Sequence, residues 1–250
     1  MRTCRFRKGS QEHWGVVEGP EVRALSAEPW AGGLPEGRRL QLSEVTLLAP
    51  VRPTKVVAVG RNYRAHAKEL GHEVPAEPLL FMKPSTAVIG PMAEIRLPEQ
   101  SKEVHHESEL ACVIGRTLTR VNGAEARQGI FGWTCLDDVT ARDIQRAEGH
   151  FTRAKSFDTF CPIGPVVETD LDPMDQVVVC RVNGEERQRG FTRDMVTDPY
   201  ALVAYVSQVM TLLPGDVVTT GTPAGVGPLR RGDWVEVEVS GVGVLRNPVV

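Results

Sequence analysis

Short apolar runs, each bounded by turn residues, recur along the chain from residue 55 onward. Most are rich in Val, Ile and Leu and only a few residues long, which is the pattern of buried or half-buried β-strands. One run ends in an Asn-Gly pair, a dipeptide that turns two-residue hairpins. The predicted strands are KVVAVG (55–60), LLFMKPST (79–86), AVIG (87–90), EIRL (94–97), ELACVIG (109–115), QVVVCRVNG (176–184), DVVTTGT (216–222) and WVEVEVSGVGVL (234–245).

Three segments instead have the composition and spacing of helices. They cover residues 62–71, 137–148 and 198–213. Asp198 is the expected N-cap of the third helix and Pro199 its first residue. A few helices among many strands do not make a regular βαβ alternation. The pattern therefore predicts an α+β fold, mainly β, with a rolled or sandwiched sheet.

The first 50 residues have a pattern of their own. They alternate short apolar stretches with Gly- and Pro-rich turns, as short strands do. The following LLAPVRPTK, residues 47–55, carries two prolines and is typical of a linker. We therefore predict a small β-rich N-terminal domain over residues 1–50 and a main domain over residues 51–250. A chain of 250 residues with 41% hydrophobic content is long enough for both.

Charge and composition argue against several classes of protein. The formal net charge is -3, without the clustered Lys and Arg of a nucleic-acid binder. No apolar run reaches the length that crosses a bilayer, and the N-terminus lacks the apolar core of a secretion signal. The five cysteines have no C-x-x-C spacing, which indicates reduced thiols. We expect a cytoplasmic protein that binds neither nucleic acid nor membrane.

A run of ionisable residues leads into one of the apolar strands. VHHESELACVIG, residues 104–115, predicts a strand on which Glu107 and Glu109 point to one face and His106 to the other. Two adjacent carboxylates repel each other, and in a partly buried place they are costly unless a cation lies between them. For this pair alone, a solvated face is the better interpretation.

The second predicted helix carries an acid, a guanidinium and an amide. In CLDDVTARDIQ, residues Asp138, Arg142 and Gln145 fall at i, i+4 and i+7 and would share one helical face. Such a set suits a carboxylate or enol oxygen as its ligand. The alternative is a solvated face on which Asp138 acts as an N-cap.

The donor types indicate which ion would suit the acids. Three carboxylates without a thiolate favour a hard, oxygen-preferring ion such as Mg²⁺ or Mn²⁺. His105 and His106 are compatible with zinc, but no third nitrogen ligand stands at a recognisable spacing. We interpret His106 as a structural or supporting residue.

Three further places carry candidate chemistry. His66 and Glu69 lie at i and i+3 on the first helix, where a carboxylate beside an imidazole suits a general base; a solvated pair is the alternative. Lys155 could balance an anionic substrate or be exposed. TTGTPAGVG (219–227) is a Gly-rich turn whose amides and Thr222 hydroxyl could hold a carboxylate. It lacks the lysine and helix of a phosphate-binding loop.

Seven segments, taken together and in this order, resemble the fumarylacetoacetate hydrolase (FAH) family. They fall within about residues 55–250, and their combination is far more specific than any one of them. The segments are GRNYRAHAKE (60–69), FMKPST (81–86), HHESELACVIG (105–115), CLDDVTARDIQ (135–145), AKSFDTFCPIGP (154–165), VNGEERQ (182–188) and LLPGDVVTTGTPAGVGP (212–228).

The resemblance implies an FAH-type mixed β-roll catalytic domain, preceded by a small N-terminal domain, in a homodimer. It implies that Mg²⁺ or Mn²⁺ is bound by three acids and that six other residues form the rest of the site. The implied metal ligands are Glu107, Glu109 and Asp138; the catalytic residues are His66, Glu69 and Lys155; the substrate-binding residues are Arg142, Gln145 and Thr222.

The resemblance also implies a substrate class, a small enolisable 2-oxo or β-diketo acid, but not one reaction. Family members hydrolyse or decarboxylate such acids, or isomerise diacids of aromatic catabolism, and share an enolate that the metal stabilises. The presence of both His66 and Glu69 favours C–C bond cleavage. The alternative is a 2-hydroxyhepta-2,4-diene-1,7-dioate isomerase. A hypothesis of another class, a non-catalytic module with a structural metal, gives no role to His66, Glu69, Arg142 or Lys155.

Overall fold

The computed structural model describes residues 1–250 and confirms a mainly β protein with a few short helices. The strands are β1 (Arg2–Lys8), β2 (Gln11–Glu18), β3 (Glu21–Leu25), β4 (Pro35–Gln41), β5 (Thr46–Leu48), β6 (Val56–Gly60), β7 (Leu79–Lys83), β8 (Val88–Ile89), β9 (Val104–His106), β10 (Ser108–Ile114), β11 (Ile130–Asp137), β12 (Thr140–Ala141), β13 (Cys161–Glu168), β14 (Val177–Val182), β15 (Glu185–Phe191), β16 (Val217–Thr219), β17 (Gly227–Pro228), β18 (Trp234–Val239) and β19 (Gly243–Pro248). The α-helices are α1 (Arg64–Glu69), α2 (Gly123–Gly129), α3 (Arg142–Glu148), α4 (Thr152–Lys155) and α5 (Pro199–Val209).

The strands form three sheets. The largest has twelve strands in the order β4-β3-β2-β1-β13-β11-β10-β16-β6-β7, with β5 paired to β1 and β8 to β13. A four-stranded sheet has the order β15-β14-β18-β19, and a small sheet the order β12-β9-β17. Strand β10 lies inside the large sheet and is buried along its whole length, so the acids beside it are delivered into the interior.

The strands of residues 1–50 continue the large sheet. Strand β1 pairs antiparallel with β13, with Arg2 opposite Glu168. Phe6 of β1 is buried in the same apolar cluster as Leu110 and Cys112 of β10. The predicted boundary at residue 50 therefore coincides with no break in the sheet, and a division into two domains stays a prediction.

Several local predictions are confirmed. The Asn183-Gly184 pair connects β14 to β15, and both residues have the positive φ angles that this turn requires. Asp198 caps α5 by accepting hydrogen bonds from the N–H groups of Tyr200 and Ala201, and Pro199 is its first residue. The cap satisfies two N–H groups that a helix start otherwise leaves without partners.

Two predictions are wrong where the acids lie. The strand expected over residues 104–115 is interrupted at Glu107, which separates β9 from β10. The helix expected over residues 137–148 begins only at Arg142, because residues 140–141 pair with β9 as strand β12. Asp138 therefore lies in a connection, and the expected helical face of Asp138, Arg142 and Gln145 does not exist. Arg142 and Gln145 alone share a face of α3.

Other element ends also differ from the prediction. Helix α1 covers only residues 64–69 of the expected 62–71, and α5 ends at Val209. The expected strand 94–97 contributes a single bridge, between Ile95 and Val249. Helices α2 and α4 are too short for a clear apolar period and were not expected. None of the helices combines the length and the apolar character needed to span a membrane.

Asp216 ties the linker to the main sheet. Its buried carboxylate accepts hydrogen bonds from the N–H groups of Thr54 (3.0 Å), Lys55 (3.2 Å) and Leu213 (2.8 Å), and from the Thr54 hydroxyl at 2.6 Å. It also forms an ion pair with the Lys55 ammonium. One carboxylate thus fixes the start of β6 against β16, and β6 leads directly to α1.

Asp216→Ala should lower the free energy of unfolding by about 1–3 kcal/mol, because it removes the buried acceptor of three N–H groups, one hydroxyl and the Lys55 ammonium. Urea denaturation followed by circular dichroism measures this loss. Asp158→Ala, which removes an exposed carboxylate, should stay within about 0.5 kcal/mol of the parent protein. Equal stabilities of the two variants would contradict the role given to Asp216.

Candidate active site

The pairing of β10 with β11 brings acids from two segments together. Ser108 lies opposite Asp137 in the register, so Glu107 and Asp138 meet one step beyond the ladder. The Asp138 N–H donates to the Glu107 carbonyl at 2.9 Å. The Glu107 N–H donates in turn to Asp137 Oδ1 at 2.8 Å. Two separate sequence motifs are therefore joined by backbone geometry.

Glu107, Glu109 and Asp138 converge as the sequence predicted. Each offers one carboxylate oxygen within 4.8 Å of the others, and all three residues are buried. Glu109 Oε2 accepts a hydrogen bond from the N–H of Gly221 at 2.8 Å. Gly221 has φ +89, and a Cβ there would come within 2.8 Å of Asn62. Only glycine gives this turn its approach to Glu109.

Buried cations surround two of the three acids. Lys155 donates to Glu107 Oε2 at 2.7 Å and to Asp138 Oδ2 at 2.6 Å. Lys83 donates to Asp138 Oδ1 at 2.6 Å, and Arg142 is paired with Glu107. Glu109 has no ion pair with any residue of the chain.

This unequal pairing separates the acids electrostatically. Burial by itself would raise the pKa of Glu107, but the charges of Lys155 and Arg142 hold it well below its usual range. Burial and then the charge of Asp138 raise the pKa of Glu109 well above its usual range. A cation between the carboxylates would favour the charged form of Glu109, because it would supply the positive partner that Glu109 does not have within the chain.

Arg142 and Gln145 lie side by side on α3. Arg142 Nη1 donates to Gln145 Oε1 at 2.5 Å, while the other end of the guanidinium holds Glu107. Arg142 Nε is buried and has no acceptor in the chain. The two residues expected to bind substrate thus lie together, and the Nε–H of Arg142 has no acceptor within the chain.

Thr222 lines the same pocket as the acids and belongs to a network of buried hydrogen bonds. Its hydroxyl donates to the Ser108 carbonyl at 2.9 Å and accepts from Gln188 Nε2 at 2.8 Å. Gln188 Oε1 accepts from the Ser108 N–H at 3.0 Å and contacts His106 Nδ1 at 2.9 Å. The Thr222 hydroxyl proton is therefore committed to Ser108. A ligand would meet the remaining lone pair or the Thr222 N–H, which has no acceptor in the chain.

His66 and Glu69 form the pair predicted on α1. His66 Nδ1 lies 3.1 Å from Glu69 Oε2, and Glu69 Oε1 accepts from the N–H of Gly225 at 2.9 Å. The helix is thereby tied to the Gly-rich turn. His66 is buried and its ring lines the pocket, whereas Glu69 stands behind it.

One pocket collects the candidate residues. All nine except Glu69 line a cavity of about 270 Å³, together with the rings of Phe81 and Phe151. His106 lies outside it, bonded to Gln188, as its interpretation as a supporting residue requires. The proximity of the candidates follows from the structure; the role of each stays a prediction.

Lys83 and Asp137 are parts of the site that the sequence pattern did not single out. Lys83 is completely buried at the end of β7. Its position directly after the apolar run LLFM is the one sequence feature that could have indicated a buried lysine. The Asp137 carboxylate accepts a hydrogen bond from the N–H of Glu107 and so positions the backbone of Glu107. Burial raises the pKa of Asp137 to about 7. Its Oδ2 has no partner. From the sequence alone, nothing distinguishes the role of Asp137 from that of Asp138 beside it.

The donor set fits a divalent cation. All three candidate ligands are carboxylates, the donors that Mg²⁺ and Mn²⁺ prefer, and they are close enough to share one ion. Glu109 is a buried acid without a cation of its own, which is a costly arrangement for the protein alone. The residues present therefore suit the metal that the sequence predicted.

Family comparison agrees with this geometry. The model of the fumarylacetoacetate (FAA) hydrolase C-terminal domain matches residues 55–250, and the model of the Rv2993c-like N-terminal domain matches residues 1–50. The chain belongs to the fumarylacetoacetate hydrolase family. The resemblance seen in the seven segments is confirmed, and with it a family of enzymes.

Relatives of the FAH family that resemble this chain carry different activities. Human mitochondrial oxaloacetate tautomerase FAHD2A is 46% identical over 248 residues, covering 94% of this chain and 78% of the relative. The structure of 2-hydroxyhepta-2,4-diene-1,7-dioate isomerase from Mycobacterium marinum is 44% identical with a TM-score of 0.94, covering 100% of this chain and 98% of the other. That of maleylpyruvate hydrolase from Sphingobium sp. SYK-6, in complex with manganese(II) and pyruvate, is 34% identical with a TM-score of 0.83, covering 100% and 99%.

Asp138→Asn should weaken Mn²⁺ binding by at least about tenfold. Mutation of a residue that only hydrogen-bonds a metal ligand already costs about this much, and Asp138 is expected to be a ligand itself. The amide keeps the shape of Asp138 but removes one of the negative charges on which the site depends. Isothermal titration calorimetry with Mn²⁺ measures the affinity. Asp158→Asn removes the same charge from an exposed position and should bind like the parent. An unchanged affinity of Asp138→Asn would exclude Asp138 as a ligand.

Proposed function

We propose that the protein is a divalent-metal-dependent enzyme that enolises a small 2-oxo or β-diketo acid and cleaves one of its C–C bonds, by hydrolysis or decarboxylation. The observation that carries this proposal is the convergence, in one pocket, of three buried carboxylates with the imidazole of His66, which Glu69 contacts from outside the pocket. A bound Mg²⁺ or Mn²⁺ would act as a Lewis acid towards the 2-oxo group and favour its enolate.

The cations of the site would orient the substrate. Arg142 has a buried N–H without an acceptor, and the Lys155 ammonium lies 4.9 Å from the centre of the Phe81 ring at the pocket wall. Both are held by buried carboxylates, so they are already positioned before a ligand arrives. Such preorganised charges stabilise the negative charge that develops on an enolate oxygen.

His66 would move the proton. Glu69 contacts its Nδ1, which leaves Nε2 as the nitrogen that can face substrate or water. Glu69 is itself fixed by the N–H of Gly225, so the imidazole has a defined orientation. A base in this position can take a proton from water for cleavage, or from the carbon next to the 2-oxo group.

A second candidate function needs only the removal of a proton from the carbon next to the 2-oxo group, without cleavage of a C–C bond. In it the enzyme is an isomerase or tautomerase of a 2-oxo diacid, such as 2-hydroxyhepta-2,4-diene-1,7-dioate or oxaloacetate. The similarity to FAHD2A over 94% of the chain and to the M. marinum isomerase over all of it favours this candidate. A non-catalytic module with a structural metal fits less well, because His66, Arg142 and Lys155 line the pocket beside the acids.

The homodimer and the cytoplasmic location remain predictions from the sequence. We include both in the proposal: the enzyme would act on a small-molecule substrate as a cytoplasmic homodimer.

A substrate panel separates the candidate reactions. The Mn²⁺-loaded protein is incubated with oxaloacetate, acylpyruvates and 2-hydroxyhepta-2,4-diene-1,7-dioate. Release of CO₂ or of cleavage products is followed together with the diene and enol absorbance. We expect cleavage that stops with excess EDTA and returns with Mg²⁺ or Mn²⁺. Loss of absorbance without cleavage would favour the second candidate, and no metal-dependent turnover of any substrate would contradict both.

His66→Ala should lower kcat by about 10²–10⁴, the usual contribution of a general base, with little change in KM. Glu69→Gln should lower kcat less, because the amide keeps a hydrogen-bond partner for His66 but loses the charge. Steady-state kinetics on the active substrate measures both effects. Mn²⁺ affinity, measured by calorimetry, should stay at the parent value in both variants. Full turnover by His66→Ala would remove the proton-transfer role.

A further inference from the structure

Arg61 differs from the other cations that line the pocket. Arg142, Arg146 and Lys155 are each ion-paired with a carboxylate of the chain. Arg61 lines the same pocket, but its guanidinium has neither an ion pair nor a hydrogen bond within the chain. It is the one guanidinium there whose full set of donors is available to a ligand.

The backbone of Arg61 is held in a costly conformation. Its φ is +61, in the left-handed region that side chains other than those of Gly, Asn and Asp rarely adopt. The next residue, Asn62, fixes this turn. Asn62 Nδ2 donates to the carbonyls of Thr197 (2.9 Å) and Thr220 (2.8 Å), and its Oδ1 accepts from the Thr197 N–H at 2.9 Å. Arginine at a position that suits glycine indicates that the side chain has a use there.

Arg61 shares the pocket with a histidine and two aromatic rings. His72 also lines the pocket, and partial burial together with Arg61 and His66 lowers its pKa. His72 is therefore mostly neutral at neutral pH, and Arg61 supplies the permanent charge. The rings of Phe81 and Phe151, with centroids 5.0 Å apart, line the pocket as well and offer an apolar wall to a carbon chain.

We propose that Arg61 binds the carboxylate distant from the reacting 2-oxo group and so makes the enzyme selective for diacids over monoacids. The inference rests on the proposed function, because the acids and Arg142 would hold the 2-oxo acid end of the same molecule. A planar guanidinium with free donors binds a carboxylate through two parallel hydrogen bonds. Arg61 is thus a specificity-determining residue, and the proton transfer does not depend on it.

Two probes of equal length test the inference by binding, without turnover. They are 2-oxoglutarate and 2-oxopentanoate, which differ by one terminal carboxylate. Both are titrated calorimetrically into the Mn²⁺-loaded protein. The parent protein should prefer 2-oxoglutarate by about tenfold or more, the scale of a hydrogen bond between charged groups. Arg61→Gln should lose this preference and bind 2-oxopentanoate as the parent does. Arg61→Lys, which keeps the charge but not the fork, should retain part of it.

Two further variants control for folding and for general charge. Arg61→Gly relieves the left-handed backbone, so its thermal midpoint should equal or exceed that of the parent while the preference for 2-oxoglutarate is lost. Arg64→Gln removes a neighbouring exposed arginine outside the pocket and should bind both probes like the parent.

The outcomes distinguish the inference from the proposed function. A parent protein that binds both probes equally, or an Arg61→Gln variant that weakens both to the same extent, overturns the role of Arg61 and leaves the proposed function standing. A Mn²⁺-loaded parent that binds neither 2-oxo acid overturns both.

Discussion

Repulsion between three buried carboxylates is the constraint on which the site depends. Glu107, Glu109 and Asp138 bring oxygens within 4.8 Å of one another in the interior, where water screens their charges poorly. The fold answers with cations from three different elements: Lys83 at the end of β7, Arg142 at the start of α3 and Lys155 at the end of α4. Strands and helices that are distant in sequence are thus held around one small volume by charge.

Rigid support around this volume comes mostly from the backbone. The ladder of β10 and β11 sets the distance between Glu107 and Asp138, and a glycine turn brings an N–H to Glu109. Gln188 uses its whole amide to hold Ser108, Thr222 and the carbonyl of Pro223. A site built on strands and saturated hydrogen bonds loses little freedom when a ligand binds, which favours both affinity and orientation.

The sequence predicted the fold class and the proximity of the candidate residues better than it predicted local structure. Alternation along a strand was enough to place Glu107 and Glu109 on one side, since that rule depends only on backbone geometry. The spacing of Asp138 and Arg142 suggested a helix, but pairing of residues 140–141 with β9 decided the conformation, and such a tertiary contact leaves no local signature. Lys83 was missed for a related reason. Its charge is compensated by an acid 55 positions away, and one sequence does not display that partnership.

Residues 1–50 contain none of the candidate site residues, but they cover an edge of the sheet that carries the site. Strand β1 covers backbone groups of β13 near Val167 and Glu168 that would otherwise be open to any extended chain. A protein reduced to residues 51–250 would keep every candidate ligand and base but would present an unpaired rim next to buried valines. Such a rim is a template for strand addition between molecules. The first 50 residues therefore act as a lateral seal on this edge of the sheet.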